Sequence, residues 1–123
     1  MAIFGIGVDI VEISRFKIEN FQALAKKILT ENEYSEFLSC AKKEVYLAKK
    51  FASKEAIAKS LGTGIGKMLS FKDIEISHNS LGKPIVWISS TIVESITSSP
   101  ATQVFISIAD TNSLVTAYAI SEI

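Results

Sequence analysis

The stretch FGIGVDIVEI, Phe4–Ile13, is apolar through its middle except for one acid, Asp9. Strand side chains alternate between two faces, so Phe4, Ile6, Val8 and Ile10 share one side, and Gly5, Gly7, Asp9 and Val11 the other. A strand over Ala2–Val11 is expected. Glycine inside a strand marks close approach by another backbone or a ligand. The second face therefore reads as space cleared around one carboxylate.

Working outward, Glu12 to about Ala41 has the mixed spacing of short helices, and Thr30 with Glu33 forms a T-x-x-E capping box. From Lys42 to Leu61 there is no proline or glycine, alanine is frequent and apolar residues recur at helical spacing, which predicts a long helix stopped by Gly62. After GTGIGKM the character changes. Phe71–Ser77, Lys83–Ile88, Thr102–Ala109 and Leu114–Ile120 are short, rich in Ile, Val, Phe and Tyr, and read as strands. SHNSLGKP and ADTNS read as hairpin connections, with His78 in the first, and Ser90–Ser98 as a helix candidate rich in β-branched residues. Strand, helices, then mostly antiparallel strands make an α+β pattern rather than the alternation of a doubly wound sheet.

A chain of 123 residues suits a single domain spanning 1–123, and 48% hydrophobic with 21% charged residues argues against disorder. Thirteen basic and thirteen acidic residues cancel, so no global field draws in nucleic acid or an anionic membrane. The lone Cys40 excludes an internal disulfide and a multi-cysteine zinc site, and the lone His78 excludes a histidine pair. No basic leader and no membrane-length apolar run are visible, which points to the cytoplasm.

Projected as a helix, Val45, Leu47, Ala48, Phe51, Ala52, Ala56 and Ala58 form one apolar arc, with Lys49, Lys50, Ser53, Lys54 and Ser60 opposite. Glu55 and Lys59 fall inside the apolar arc. They are either a Glu–Lys pair along the helix, worth a few tenths of a kcal/mol, or the lining of a polar cleft, since charges buried without partners are costly. If the first strand packs on this helix, Gly5, Gly7, Ala48 and Ala52 permit close approach and bring Asp9 toward Glu55. Two carboxylates are relieved by a cation, and oxygen ligands without sulfur or imidazole suit Mg²⁺, which completes its shell with water and phosphate oxygens. Lys59 would then neutralise a phosphate. GTGIGK, Gly62–Lys67, follows a helix instead of preceding one, so it lacks the dipole of a phosphate loop and reads as helix termination.

The blocks GIGVDIVEISRF and, about forty positions later, KFASKEAIAKSLGTGI, together with ILTENE and LSFKDIEI…LGKP, resemble the small bacterial type of 4'-phosphopantetheinyl transferase, the holo-[acyl-carrier-protein] synthases. The resemblance implies Mg²⁺-dependent transfer of 4'-phosphopantetheine from coenzyme A to a serine of an acyl carrier protein, by a homotrimer with sites between subunits. It implies that Asp9 and Glu55 hold the metal, that Lys59 lies at the transferred phosphate and that Arg15 docks the carrier protein. Glu55 is the preferred general base. Gly62, Thr63 and Gly64 correspond to a segment beside coenzyme A, and Gly82, Lys83 and Pro84 to a loop near its adenine end. Many relatives have histidine at Ala109 and an aromatic residue at Leu114, so the partner of the 3'-phosphate is unassigned. Lys17, Lys26 and Lys27 extend the expected positive patch around Arg15, unless they are simply a solvated face. The rivals are a noncatalytic module that binds coenzyme A and a purely structural trimer.

Overall fold

The first strand, β1 (Ile3–Glu12), runs antiparallel to the last, β5 (Leu114–Glu122), and β5 pairs on its other side with β4 (Gln103–Asp110). The computed structural model describes residues 1–123 and orders this three-stranded sheet β1-β5-β4. The long central helix α3, Lys43–Ser60, lies across one face of it. Small side chains make that approach possible. Gly5 stands opposite Ser121, Gly7 opposite Ala119, Asp9 opposite Ala117 and Val11 opposite Val115, giving a nearly flat floor.

The expected contact between the glycine face and the helix is present, but one to two turns further along. A Cβ on Gly7 would lie 2.1 Å from Ala56 O, and one on Gly5 would lie 2.0 Å from Ser60 O. The nearest turn is therefore Ala56–Ser60 rather than Ala48 and Ala52, because β1 crosses α3 near the helix C-terminus. The Ser121 hydroxyl closes this contact by donating to Ser60 O at 2.8 Å.

Two short helices, α1 (Phe21–Ile28) and α2 (Glu31–Leu38), pack on the other side of α3. A separate two-stranded hairpin, β2 (Glu75–His78) with β3 (Pro84–Trp87), and α4 (Ser90–Thr97) complete the chain. The helix candidate near Ser90 is thus a helix, capped by the Ser89 hydroxyl on Ile92 N. No helix is long and apolar enough to cross a membrane.

Two expectations are corrected. Phe71–Asp73 is a 3₁₀ turn instead of the start of a strand, because Ser70 and Asp73 cap one another. His78 consequently closes β2 instead of sitting in the connection. The second correction concerns α3, which is enclosed nearly all round. Lys50, Ser53, Lys54 and Ser60, expected to face solvent, are buried, while Lys59, expected in the apolar arc, is exposed.

Charges enter the interior there because a partner waits. Lys54 Nζ lies 2.6 Å from Glu33 Oε1, with side-chain exposures of 0% and 2%. Glu33 is also the capping residue foreseen for α2, receiving Thr30 N at 2.9 Å while its own amide donates to the Thr30 hydroxyl. Removing one partner of such a pair leaves an uncompensated charge and costs about 3–5 kcal/mol.

Candidate active site

Asp9 emerges from β1 where the glycine floor ends. Its backbone carbonyl accepts the Thr116 hydroxyl at 3.0 Å, which ties the strand to β5 at the acid itself. Lys59, in the last turn of α3, donates to Val8 O at 2.9 Å and to Asp9 Oδ1 at 3.2 Å. The lysine side chain is half exposed while Asp9 is only 18% exposed, so the pair sits at the boundary between interior and solvent.

Glu55 lies one helical turn before Lys59. Burial, and then the charge of Asp9, raise its pKa above the ordinary carboxylate value, against the opposing pull of Lys59 and Arg15. Desolvation favours the neutral acid, and a neighbouring anion adds to it. Asp9, Glu55, Lys59 and Arg15 therefore belong to one electrostatic unit. Arg15 is held in place by an aromatic support, with its guanidinium 4.8 Å from the Phe51 ring centre. Phe51 in turn packs edge-on against Phe16 at 5.5 Å and against Phe71 at 5.6 Å.

No group of three or more Asp, Glu, His or Cys side chains is gathered anywhere in the fold. Two carboxylates, open on one side and repelling one another, are what a Mg²⁺ ion takes when substrate phosphates and water supply its remaining ligands. The donor set thus fits the expected metal.

Gly62, Thr63 and Gly64 continue directly from Lys59. Thr63 N and Gly64 N both donate to Ala58 O, at 3.1 and 3.2 Å, so these amides end the helix and do not cradle an anion. Gly62 and Gly64 have φ of +80° and +64°, which glycine adopts without strain. Gly82, Lys83 and Pro84 lie elsewhere, at the β2–β3 turn. There the Asn79 side chain accepts from Leu81 N and Lys83 N, both at 2.9 Å. Lys83 and Pro84 border a cleft of about 280 Å³ between β3, β4 and Val93 of α4, which Asp9, Glu55 and Lys59 do not line. One chain therefore brings the acids and the lysine together but leaves the Gly82–Pro84 turn apart.

Arg15 and Lys17 lie on and just after a 3₁₀ turn at Ile13–Phe16, and Lys26 and Lys27 on the last turn of α1, all exposed. Ala109 stands opposite Thr116 in the sheet, and Leu114 opens β5 opposite Glu12. Sequence reasoning missed Thr116, the Val8 carbonyl and the Lys54–Glu33 pair. A lone hydroxyl in an apolar strand is a weak signal, and a backbone carbonyl is none.

The match to known proteins is extensive. The family model of the 4'-phosphopantetheinyl transferase superfamily covers residues 5–119. A holo-[acyl-carrier-protein] synthase from Shewanella amazonensis is 44% identical over 113 residues, covering 89% of this chain and 90% of the relative. The crystal structure of the synthase from Neisseria meningitidis superposes with a TM-score of 0.90 at 39% identity, covering 99% and 100% of the two chains. The synthase from Bacillus anthracis, solved in complex with CoA (3',5'-ADP), gives 0.82 at 34% identity and covers 98% and 96%. The chain belongs to the 4'-phosphopantetheinyl transferase superfamily, and within it to the holo-[acyl-carrier-protein] synthases.

Proposed function

We propose that the protein transfers 4'-phosphopantetheine from coenzyme A to a serine of apo acyl carrier protein, releasing adenosine 3',5'-bisphosphate, with Mg²⁺ as cofactor. The observation that carries this reading is the convergence of Asp9, Glu55 and Lys59 at the crossing of β1 and α3, in a chain of this family. The whole chain acts as one domain.

In phosphoryl transfer the protein mainly aligns nucleophile and leaving group and stabilises spreading negative charge. Asp9 and Glu55 would hold the metal, which when bound neutralises the pyrophosphate and makes its phosphorus more electrophilic. Lys59, held by the Val8 carbonyl and half exposed, supports the nonbridging oxygens of the transferred phosphate. The serine oxygen forms its bond to phosphorus as the bond to the bisphosphate oxygen breaks. Glu55, beside the reacting phosphate, takes the serine proton. Gly62–Gly64 would lie beside coenzyme A, and Gly82, Lys83 and Pro84 near its adenine end. Arg15, propped on Phe51 at the edge of the same unit, meets an acidic patch of the carrier protein, with Lys17, Lys26 and Lys27 extending the contact.

The outer face of the sheet supports assembly into a trimer. Ile6, Val8 and Ile10 are 58%, 56% and 63% exposed on the side away from α3, and Phe105 and Tyr118 continue the patch. Apolar patches of this extent mark association surfaces. Ala109 shares that face through its pairing with Thr116, so the position where relatives carry histidine would meet a neighbouring subunit. Cys40 is free, in keeping with the reducing cytoplasm in which we place the protein.

Incubation with coenzyme A, Mg²⁺ and apo acyl carrier protein should add one phosphopantetheine mass to the carrier. No mass gain, with a known synthase active in parallel, would overturn the reading. Asp9→Ala and Glu55→Ala should each reduce transfer by roughly 100-fold or more while melting normally. Arg15→Glu should raise KM for the carrier protein and leave KM for coenzyme A unchanged.

A further inference from the structure

Helix capping explains only part of what Glu33 does. Capping requires Glu33 to bond to Thr30 N, yet its second oxygen also accepts Ile76 N, at 2.8 Å, from a strand 43 residues away. Lys54 is likewise over-committed for one ion pair. Its three protons go to Glu33 Oε1 at 2.6 Å, Ile28 O at 2.7 Å and Phe71 O at 3.0 Å. Of the three ion pairs in the fold this one alone is shut off from solvent.

The acceptors are the informative feature. Phe71 O lies at the far end of the segment that begins with Gly62–Gly64, so that loop leaves α3 at its C-terminus and is tied back to α3 through Lys54. Ile76 belongs to β2, the strand that leads into Gly82–Pro84. Both of its backbone groups are held by side chains of this cluster, the amide by Glu33 and the carbonyl by Lys50 Nζ at 2.9 Å. Residue 54 also directly precedes Glu55. Stability alone does not call for charges here, since an apolar replacement of a buried pair is often neutral or stabilising. An apolar pair would fill the space without fixing where Phe71 O and Ile76 N point.

We propose that Lys54, with Glu33 and Lys50, is a positioning residue for the transfer reaction: it locks the two segments that hold coenzyme A to the helix that carries Glu55 and Lys59. The proposal rests on the function proposed above. It assigns to the KEA part of the second block a structural duty toward coenzyme A that the neighbouring glutamate does not share. The cluster touches no substrate itself. It acts through the backbone of Phe71 and Ile76.

The double variant Lys54→Met/Glu33→Gln removes both members of the buried ion pair together and leaves Lys50 with Glu36 and Glu75 as its nearby carboxylates, so it separates positioning from the cost of one orphaned charge. In the complete enzyme with Mg²⁺, KM for coenzyme A should rise about 10-fold, with kcat within about 3-fold of wild type and KM for the carrier protein unchanged. Calorimetric affinity for adenosine 3',5'-bisphosphate should fall by a similar factor. Lys50→Met, which breaks the bond to Ile76 O and removes the ammonium 5.1 Å from the Tyr46 ring centre, is a milder second variant and should raise the same KM about 3-fold. Phe37→Leu, a change in the buried aromatic cluster of α2, controls for general loosening. A wild-type KM for coenzyme A in either folded variant overturns the proposal, and so does an equal rise in Phe37→Leu. Failure of wild type to transfer at all would instead overturn the function on which it rests.

Discussion

At the scale of the residue, Gly7 sets the approach of β1 to α3 that brings Asp9 to Lys59. Its absent side chain leaves room for the α3 backbone, and a Cβ there would meet Ala56 O at 2.1 Å and Ser60 N at 2.8 Å, both backbone atoms that cannot swing aside. Gly7→Ala should therefore push strand from helix and destabilise the fold by about 3 kcal/mol. Gly66→Ala, where nothing lies within 4 Å, should change stability by less than about 0.5 kcal/mol. Thermal melts of the two check this, and equal melting temperatures would refute it. Asp9 and its two glycines were legible from alternation alone, because a strand with period two places all three on one face. That Lys59 binds Asp9 was not legible, since a contact 50 residues apart in the chain leaves no local pattern.

At the scale of the element, the β2–β3 hairpin is tied to α3 through Lys50, which helical projection had placed opposite the apolar arc. The lone histidine reports on this docking. Burial, followed by the charge of Lys50, lowers the His78 pKa below its ordinary value. A histidine with a depressed folded pKa contributes stability that is present above 6.5 and lost as pH falls through the folded value. An NMR titration should accordingly give a midpoint below 6.5 for His78, and Lys50→Met should move it upward. A midpoint at or above 6.5 in wild type would show that the hairpin does not sit on Lys50 as described. The long helix itself was read nearly to its ends, 42–61 against Lys43–Ser60, because length, alanine content and a glycine stop are local signals. Its buried and exposed sides were not, because a helix covered by a sheet on one side and two helices on another has no single apolar face.

At the scale of the whole molecule, the residues of the proposed site lie in two separate places on one chain. The acids and Lys59 are together, while the β2–β3 turn borders its own cleft and an apolar sheet face stands bare. Association through that face should give a trimer by sedimentation. Ile6→Glu, which introduces a charge where Ile6 is 58% exposed and touches none of the residues of the site, should yield monomers with little transferase activity. Monomeric wild-type protein, or an assembled Ile6→Glu variant, would refute the interface.

The sequence by itself determined the α+β class, the first strand with its cleared face, the long helix with its glycine stop, and the identity of Asp9, Glu55 and Lys59 as a set. These follow from periodicities of two and 3.6 residues and from chemistry carried in short blocks, which act over a few positions of the chain. Only the tertiary structure decided that β1 crosses α3 at Ala56–Ser60, that Lys54 and Glu33 meet in the interior and that Thr116 anchors the backbone of Asp9. Such contacts join residues 21 to 107 positions apart, and their partners are often backbone atoms that every residue carries. No residue type announces them, so they appear only once the chain has closed on itself.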